Sequence, residues 1–391
     1  MGKSRSVALL LLITLSVVTG LTQGFEVLHP EYGFEVYVSF EEANIPWIRG
    51  IDFDSVGNLY FVTEGRVFRI TPDGDVSVFA TEGLSSIPQG VIWTGGTVYG
   101  DNLYLANADY DNVLRINPDG STFSFCTFDA EPLGLGIDRV GNYGGKLYVG
   151  TRYPGEIYSV SETGEKEFFL AVTEPSDAHV NDFAFDPTGM YGGLMFISID
   201  SKNVDVNGVF SVDLDGVITQ FPVGTKIYTI AFDTTDDQQF GGQLYMSMSS
   251  YAIRRMAPDG TAEIFIRELE NPLRGFTFGP DGMYVFQERD GVTIVWRVRR
   301  ISLLEQVVEN IEEAIAQKAV ALEAVESSLA KEQAAYDALG VLEPEGDLTD
   351  KDIAKAIKKL EVSIAEQGRV IGDIEDSIAR LEDVLMLLGV E

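Results

Sequence analysis

The segment from residue 49 to residue 79 alternates short apolar runs with turn-forming residues. Each run has about four residues and is rich in aromatic and β-branched side chains, which is typical of β-strands. The four runs span residues 51–53, 59–62, 67–70 and 76–79. Pro72, Asp73 and Gly74 separate the last two runs, because proline pre-sets a turn and glycine accepts the left-handed position that closes it. The segment therefore predicts four short antiparallel strands.

The same unit recurs along the chain as far as residue 300, at a spacing of about 40 to 47 residues. The first strands of the successive units lie near Ile51, Val91, Ile137, Phe183, Ile230 and Phe276. A four-stranded unit at this period is the signature of a β-propeller blade. The sequence therefore predicts an all-β six-bladed β-propeller with four-stranded blades.

The sixth unit has no apolar run for a fourth strand, because the sequence becomes helical after Val298. An unassigned apolar run, residues 34–40, precedes the first unit. Pairing this run with the sixth blade would close the ring and remove an open sheet edge, which otherwise invites aggregation. We therefore expect the N-terminal strand to complete the last blade.

Three of the units carry an aromatic residue followed by two glycines before the second strand. The three sequences are Asn142-Tyr143-Gly144-Gly145, Met190-Tyr191-Gly192-Gly193 and Gln239-Phe240-Gly241-Gly242. We interpret this repeat as a longer loop whose aromatic ring covers the blade, in preference to a ligand site.

From residue 301 to residue 391 the pattern becomes a stripe of apolar residues at alternating steps of four and three, and Tyr336 is the only aromatic residue. A spacing of about 3.5 residues over several heptads is typical of a coiled coil. Gly340, Pro344 and Gly346 interrupt the stripe and leave two arms of similar length. We predict an α-helical antiparallel coiled-coil hairpin, whose exposed apolar edge packs either on the propeller or on another chain.

Residues 1–24 have the pattern of a secretory signal peptide. Lys3 and Arg5 precede an apolar stretch, and small residues follow it. The alternative is an uncleaved membrane anchor, although the apolar stretch is short for a span. We therefore expect a signal peptide (1–24), a propeller (25–300) and a coiled-coil hairpin (301–391), in a protein secreted to the extracellular space or the periplasm.

The composition is strongly acidic, with a formal net charge of −33 at pH 7. Carboxylates outnumber basic groups in both the propeller and the hairpin segments, so both repel a phosphate backbone and nucleic acid is excluded as a partner. Cys126 is the single cysteine, so the chain forms no intrachain disulfide. We expect a buried, inert thiol there in preference to a reactive one.

The register of the repeat gives a first candidate site. The residues at the entrance of the six first strands would ring the funnel at the propeller axis, and they are Arg49, Gln89, Leu133, Asn181, Thr229 and Arg274. Blades one and six are neighbours in a closed ring, so Arg49 and Arg274 would lie side by side. Two like charges favour an anion between them, which predicts a pocket for a carboxylate, a sulfate or an acidic sugar. Alternatively, Glu64 or Glu288 pairs with both arginines in a structural cluster.

The ends of the six second strands give a second ring, which consists of Glu64, Asn107, Arg152, Asp200, Ser249 and Glu288. Arg152 is a further candidate for ligand binding. The oxygens of Glu64, Asn107, Asp200 and Glu288 would suit a hard cation such as Ca²⁺, which binds about six to eight oxygens. The alternative is that these residues are solvated loop ends. Ca²⁺ or another divalent metal is therefore a candidate cofactor, and the sequence indicates no other.

Over residues 34–300 the blades resemble six-bladed propellers of the gluconolactonase-like and NHL-repeat type. The shared features are the patterns Gly-apolar-x-Phe-Asp, Gly-x-Leu-Tyr and apolar-x-Arg-Ile-x-Pro-Asp-Gly. The resemblance implies a divalent metal at the axis held by a Glu, an Asn and an Asp, for which Glu64 and the pair Asn181-Asp182 would supply the Glu and the Asn. The later units depart from this set, with Thr229 and Arg274 at the corresponding places.

A weaker resemblance joins the chain to lyase propellers that use histidine. The only histidines are His29 and His179. His179 precedes Asn181, and it either faces the funnel or lies in a loop.

Two functions follow from these patterns. The first is an exported, non-catalytic binding or assembly protein, with a ligand or partner recognised at the funnel and the hairpin mediating packing or homo-oligomerisation. Its partner would be a protein, a carbohydrate or an anionic small molecule, and the mature chain would have no membrane span. The second is a metal-dependent lactonase or sugar-ester hydrolase. The sequence indicates no catalytic residue beyond the metal ligands that the second function would need.

Overall fold

The computed structural model describes residues 25–41, 48–172, 177–202, 204–221, 223, 225–249, 251–269, 275–289, 291–340 and 350–388. The predicted signal peptide, residues 1–24, lies outside these ranges. The chain divides into two compact units at the junction of Arg300 and Ile301. The first unit is a propeller and the second is a pair of helices.

The propeller contains six sheets, which are built from strands consecutive in sequence except that β1 and β2 join the last two. Blade 1 consists of β3 (Gly50–Phe53), β4 (Leu59–Thr63), β5 (Arg66–Ile70) and β6 (Val76–Ala80). Blade 2 consists of β7 (Pro88–Trp93), β8 (Leu103–Asn107), β9 (Asn112–Ile116) and β10 (Thr122–Thr127). Blade 3 consists of β11 (Pro132–Ile137), β12 (Leu147–Thr151), β13 (Glu156–Val160) and β14 (Lys166–Ala171).

The remaining blades follow the same order. Blade 4 consists of β15 (His179–Phe185), β16 (Met195–Asp200), β17 (Gly208–Val212) and β18 (Ile218–Phe221). Blade 5 consists of β19 (Ile227–Phe232), β20 (Leu244–Met248), β21 (Ala252–Met256) and β22 (Ala262–Arg267). Blade 6 consists of β23 (Phe276–Gly279), β24 (Gly282–Arg289) and β25 (Val292–Arg300), with β2 (Tyr32–Glu41) as its fourth strand. The prediction of a six-bladed propeller is confirmed.

The N-terminal strand closes the ring as predicted. β2 runs antiparallel to β25, with Phe34 opposite Val298 and Val36 opposite Trp296. A second N-terminal strand, β1 (Glu26–Val27), pairs with β22 on the outside of blade 5. Because β1 has only two residues, the sequence pattern gave no sign of it. The N-terminal segment therefore joins both of the last two blades.

The core lies between neighbouring blades. The second strand of a blade is covered on both faces, and every residue of β4, β8, β12 and β20 is buried. This is why these strands read as continuous apolar runs. Burial of each large apolar side chain contributes about 1.5–3 kcal/mol, so the interfaces between blades supply most of the driving force for folding.

Glycine allows the first strands to approach one another near the axis. A Cβ atom on Gly50 would lie 2.6 Å from the carbonyl oxygen of Gln89 and 2.5 Å from the amide nitrogen of Val91. On Gly90 it would lie 2.9 Å from the carbonyl oxygen of Leu133. These contacts are with backbone, which cannot move aside as a flexible side chain would. The glycine of the repeated pattern is therefore required by packing.

Tyrosines in the loops between the first and second strands clamp each blade to the next. The Tyr143 hydroxyl donates to the carbonyl of Val212 and accepts a hydrogen bond from the Met195 N–H at 2.9 Å. Tyr99 and Tyr191 make the same pair of bonds to the blades that follow them. Phe240 occupies this place in blade 5, and its ring stacks on Tyr32 instead. The aromatic-Gly-Gly loops thus have the structural role that we predicted.

In each aromatic-Gly-Gly loop, an aspartate side chain accepts hydrogen bonds from the backbone N–H groups of the loop. Asp138 accepts hydrogen bonds from the backbone N–H groups of Gly141, Tyr143 and Gly145. Asp186 and Asp233 hold the equivalent loops of blades 4 and 5 in the same way. The aspartate that ends each first strand therefore positions the aromatic ring that follows it.

Among the residues that the structure describes, three short 3₁₀ helices occur in loops, at Ala108–Tyr110, Val204–Val206 and Asp236–Gln238. Cys126 is a buried free thiol in β10, and burial raises its pKa to about 12. At neutral pH it is therefore protonated and a weak nucleophile.

The second unit consists of α1 (Leu303–Gly340) and α2 (Asp350–Leu387). Ser302 begins α1 with a reciprocal capping box, because its hydroxyl accepts from the Glu305 N–H and the Glu305 carboxylate accepts from the Ser302 N–H. The residues that connect the helices, 341–349, lie outside the described ranges. In the described part of the chain, no helix is long and apolar enough to cross a membrane.

The two helices pack against each other in antiparallel orientation. Gln367 Nε2 donates to Glu332 Oε1 at 2.9 Å, and the Tyr336 hydroxyl donates to Glu361 Oε1 at 3.3 Å. Glu332 and Gln367 occupy positions of the apolar stripe, which we call the seam. A polar pair within an apolar seam fixes the register of a coiled coil.

Candidate ligand site at the propeller mouth

Arg152 and Asp200 from the predicted second ring come together where β12 and β16 end, at a place that we call the mouth. Arg152 follows β12 and forms a β-bridge with His179, the first residue of β15. His179 in turn lies opposite Asp200, the last residue of β16. Asn181 lies two residues further along β15, and its side-chain amide donates to the carbonyl of Ile227 in blade 5 at 3.1 Å. The mouth therefore spans blades 3, 4 and 5.

The aromatic ring of Tyr153 lies at the centre of this group. Its centroid is 4.5 Å from that of the His179 ring, and the two planes are perpendicular. The Arg152 guanidinium carbon lies 4.9 Å from the centroid of the Tyr153 ring, and the Lys202 ammonium lies 5.8 Å from it. Tyr153 is 42% exposed, so part of the ring remains accessible to a ligand. Such cation–π contacts are worth about 0.5–1 kcal/mol at exposed sites.

Ion pairs fix the charged groups of the mouth. Arg152 Nη1 lies 2.9 Å from Glu131 Oε2, and Lys226 Nζ lies 2.8 Å from Asp200 Oδ1. Because most of these side chains are partly exposed, the pairs add little to stability. Their effect is to hold the polar groups in place before any ligand arrives.

Burial lowers the pKa of His179, against the opposing influence of the Asp200 carboxylate. The imidazole is therefore neutral at neutral pH, with one nitrogen able to donate and the other able to accept a hydrogen bond. His179 lies in a strand, beside Arg152 and Asp200, and not in the loop that was the alternative interpretation.

The other residues of the first ring lie apart from this group. The Arg49 N–H donates to the carbonyl of Val62 at 3.1 Å, and Gln89 Nε2 donates to the carbonyl of Ile87 at 3.5 Å. Leu133 is buried, and the Thr229 N–H donates to Ser247 Oγ. Arg274 lies outside the described residues, so the pairing of Arg49 with Arg274 stays a prediction.

The four oxygen ligands that we named for a metal occupy different surroundings. Glu64 is exposed in the turn after β4, and Glu288 is half-buried within β24. Asn107 is fully buried; its side chain accepts from the Ser85 N–H and donates to Gly83 and Asn112. Asp200 pairs with Lys226. Within the described ranges, no three His, Cys, Asp or Glu side chains converge to hold a metal ion. Metal binding by these residues stays a prediction.

Two half-buried carboxylates on first strands, Asp52 and Asp182, were not recognised from the sequence as a pair. Asp52 accepts hydrogen bonds from the N–H groups of Phe53 at 2.8 Å and of Trp93, in the next blade, at 2.7 Å. Asp182 accepts from Phe183 and from Ile230 in the next blade, both at 2.9 Å. Each side chain thus bridges two neighbouring first strands.

Burial raises the pKa of Asp52 to about 6 and that of Asp182 to about 7. The Asp52 carboxylate also contributes to the rise at Asp182. Both groups therefore titrate close to neutral pH, although their hydrogen bonds to backbone N–H groups oppose the shift.

A cleft of about 330 Å³ lies outside the mouth, between the loops of blades 3 and 4. Its walls include Asn142, Tyr143, Gly193 and Asp213. Two of the aromatic-Gly-Gly loops form this cleft, so it is a consequence of the clamp between blades.

Comparison with known proteins identifies the fold. No family model matches the sequence, and no curated protein matches it. Among solved structures, a gluconolactonase from Xanthomonas campestris has 14% identity and a TM-score of 0.52, covering 71% of this chain and 94% of its own. Virginiamycin B lyase from Staphylococcus aureus has 11% identity and a TM-score of 0.50, covering 69% of this chain and 100% of its own.

A third similar structure is an auxiliary nutrient binding protein from Bacteroides thetaiotaomicron. It has 13% identity and a TM-score of 0.52, and the match covers 68% of this chain and 76% of that protein. Enzymes and a binding protein thus share this architecture. The similarity supports a six-bladed β-propeller, and at these identities it establishes the fold alone.

Proposed function

We propose that this six-bladed propeller is an exported, non-catalytic binding protein that recognises an acidic sugar at the mouth and associates with other chains through its helical hairpin. The observation that carries the proposal is the partly exposed Tyr153 ring, which Arg152 and Lys202 flank and His179 contacts at its edge. In a chain of net charge −33, a group of cations around an accessible aromatic ring is a specific feature.

The chemistry of the mouth suits a sugar that carries a carboxylate. The apolar face of a pyranose ring packs on an aromatic ring, and Tyr153 offers one. The sugar carboxylate would accept hydrogen bonds from the Arg152 guanidinium beside Glu131, which contacts its Nη1. Sugar hydroxyls both donate and accept hydrogen bonds, which matches the neutral His179 and the Asp200 carboxylate.

Preformed geometry supports recognition in preference to catalysis. Asp200 is tied to Lys226 and Arg152 to Glu131, so the side chains are ordered before the ligand binds. A site that is ordered in advance loses less conformational entropy on binding. A neighbour that shares this fold is itself described as a binding protein.

Isothermal titration calorimetry of the full chain with D-glucuronate, and with D-glucose for comparison, would test the proposal. We expect binding of glucuronate, with Arg152→Gln weakening it about 10- to 100-fold, because a hydrogen bond to a charged group is worth about 1.5–3 kcal/mol. Arg255→Gln is the matched control, since Arg255 has the same kind of contacts with Glu263 and Phe265 but lies in blade 5. Equal binding of both sugars, or equal losses in the two variants, would contradict the proposal.

The second candidate function is a metal-dependent hydrolase acting on a lactone or a sugar ester. It is favoured by the fold shared with a gluconolactonase and by Glu64, an exposed carboxylate at the end of β4. This function predicts turnover of a lactone panel in the presence of Ca²⁺, Mn²⁺ or Zn²⁺, with activity lost on adding a chelator and in Glu64→Gln. A panel without turnover under all three metals eliminates it.

Two further parts of the proposal concern export and association. We expect the exported chain to begin near residue 25, which N-terminal sequencing of protein secreted by an expressing host would check. We also expect deletion of residues 301–391 to reduce the oligomeric state, as measured by analytical ultracentrifugation. A chain that is monomeric with and without the hairpin would refute the association role.

A further inference from the structure

One side of α2 flanks its contact with α1. It consists of residues 351, 354, 358, 361, 365, 368, 372, 375, 379 and 382, which recur at alternating steps of three and four; from residue 354 onward each directly follows a seam position. We call this the lateral face. Since successive residues of a helix are rotated by about 100°, the lateral face lies roughly a quarter turn from the seam. Its side chains are exposed, and Gly372 alone on it is half-buried.

The outer charges of the lateral face change sign at its midpoint, and each positive charge has a negative charge at the same distance on the other side. Lys351 and Lys358 lie in its N-terminal half, and Glu375 and Glu382 lie in its C-terminal half. The midpoint falls between residues 366 and 367, and each lysine is as far from it as one of the glutamates. A second copy of α2, laid antiparallel on this face, would bring every lysine opposite a glutamate.

Among the described residues, no ion pair within the chain uses these four side chains. Ion pairs formed instead across two copies would obey two-fold symmetry, since each lysine–glutamate pair would occur twice. The face is therefore complementary to itself when it runs antiparallel, whereas a parallel arrangement would place like charges together.

Small residues occupy the centre of the same face with the same symmetry. In the antiparallel arrangement Ala354 would oppose Ala379, and Ala365 would oppose Gly368. Added Cβ atoms at Gly368 and Gly372 would meet nothing within 4 Å in the chain itself. Glycine is unfavourable in a helix interior, and packing within the chain gives no reason for it here. Close approach of a second backbone supplies one.

The one long side chain near the centre is drawn aside. Glu361 would oppose Gly372 of the second copy, and its carboxylate accepts a hydrogen bond from the Tyr336 hydroxyl of α1. This bond directs the Glu361 side chain toward the seam. The side chain therefore leaves room for Gly372 of the second copy to approach.

We propose that the lateral face of α2 is the interface of an antiparallel homodimer, with its two-fold axis between Glu366 and Gln367. The proposal rests on the association role given to the hairpin above and specifies the partner, the face and the orientation. Two hairpins joined in this way form a four-helix arrangement in which small residues allow close contact between the two α2 helices.

Paired charge reversals in the full chain test the interface. Variant A carries Lys351→Glu and Lys358→Glu, and variant B carries Glu375→Lys and Glu382→Lys. Each variant alone would place like charges at all four contacts, so we expect its dimer dissociation constant to rise about 10- to 100-fold at low salt. An equimolar mixture of A and B restores four opposite-charge contacts and should dimerise as the natural chain does.

A matched control carries Lys355→Glu and Lys359→Glu, which change the net charge of the same segment by the same amount but lie outside the lateral face. It should dimerise as the natural chain does. Gly368→Leu should weaken the dimer while improving the helix propensity of the hairpin, so a loss of dimer there cannot be attributed to unfolding.

Spin labels on Lys355→Cys give the orientation, because the natural Cys126 is buried and does not react. Residue 355 would oppose residue 378 of the second copy, so the two labels should be about 35 Å apart along the helix axis. A parallel dimer would bring the labels close together.

The possible results distinguish a wrong interface from a hairpin that mediates no association at all. Sedimentation equilibrium that shows a dimer unaffected by variants A and B, or a short distance between labels, overturns the interface and leaves the association role standing. A chain that is monomeric at every concentration overturns both. Weakened dimers of A and of B, with recovery in their mixture, support the interface.

Discussion

The hydroxyl of Tyr143 holds blade 4 to blade 3 at two buried backbone groups. It donates to the Val212 carbonyl and accepts from the Met195 N–H. Tyr143→Phe removes one oxygen atom and leaves both groups without this partner. A buried polar group without a partner costs about 1–3 kcal/mol, and relaxation offsets part of the cost. We therefore expect a loss of about 2–4 kcal/mol in the free energy of unfolding.

Thermal unfolding followed by circular dichroism would measure this loss. For a unit of this size about 1 kcal/mol shifts the midpoint by roughly 2–4 °C, so we expect a decrease of about 4–16 °C. Tyr158→Phe is the matched control, because the Tyr158 hydroxyl donates to the Glu156 carboxylate at a partly exposed position. Its removal should change the midpoint by less than about 2 °C.

Equal shifts in the two variants would refute the reasoning. They would mean that the backbone groups of blade 4 find other partners at no cost, and that the tyrosine clamp does not join blades. Phe240 shows that one junction of the ring does without the hydroxyl, where Tyr32 stacks on the phenyl ring instead.

Three more predictions concern the axis and the hairpin. Burial raises the folded-state pKa of Asp182 to about 7, so the folded state binds the proton more tightly than the unfolded state does. The resulting contribution to the free energy of unfolding is present at low pH and is lost as the pH rises through about 7. The thermal midpoint should therefore fall between pH 5 and pH 8 less steeply in Asp182→Asn than in the natural chain. Gly50→Ala should cost about 1–3 kcal/mol or more in urea unfolding, since its Cβ would meet the Val91 backbone at 2.5 Å; an unchanged midpoint would contradict the packing account. Replacing Glu332 and Gln367 together by leucine should raise the stability of the helical unit, measured by thermal unfolding followed by circular dichroism at 222 nm. Gln367→Leu alone should lower this stability, because the Glu332 carboxylate in the seam loses its partner.

The sequence was sufficient for the blades because each strand carries its own signal. Apolar runs between glycine and aspartate mark the strands, and residues 34–40 stand out as a run without a unit. β1 was not predicted, because a strand of two residues has no detectable periodicity. The position of Phe25 against Trp296 and Phe34 depends on that strand and was equally inaccessible.

The sequence placed individual candidate residues at strand ends, but it did not show which of them lie together. Arg152, Asn181 and Asp200 followed from the register of individual strands. The grouping of Arg152 and Asp200 with Tyr153 and His179 depends on a β-bridge between blades 3 and 4, which no local pattern encodes. The hydrogen bonds of the Asn107 amide to Gly83 and Ser85 depend in the same way on a loop contact that its place at a strand end does not encode.

Closure of the ring by β2 has a consequence for the order of events during synthesis. Glu35 and Arg297, which are joined by a salt bridge between β2 and β25, are 262 positions apart in the chain. β2 is therefore synthesised well before β25, the last strand of the propeller, and contacts of such long range form slowly. The sixth blade of a nascent chain cannot be completed before residue 300 has been synthesised.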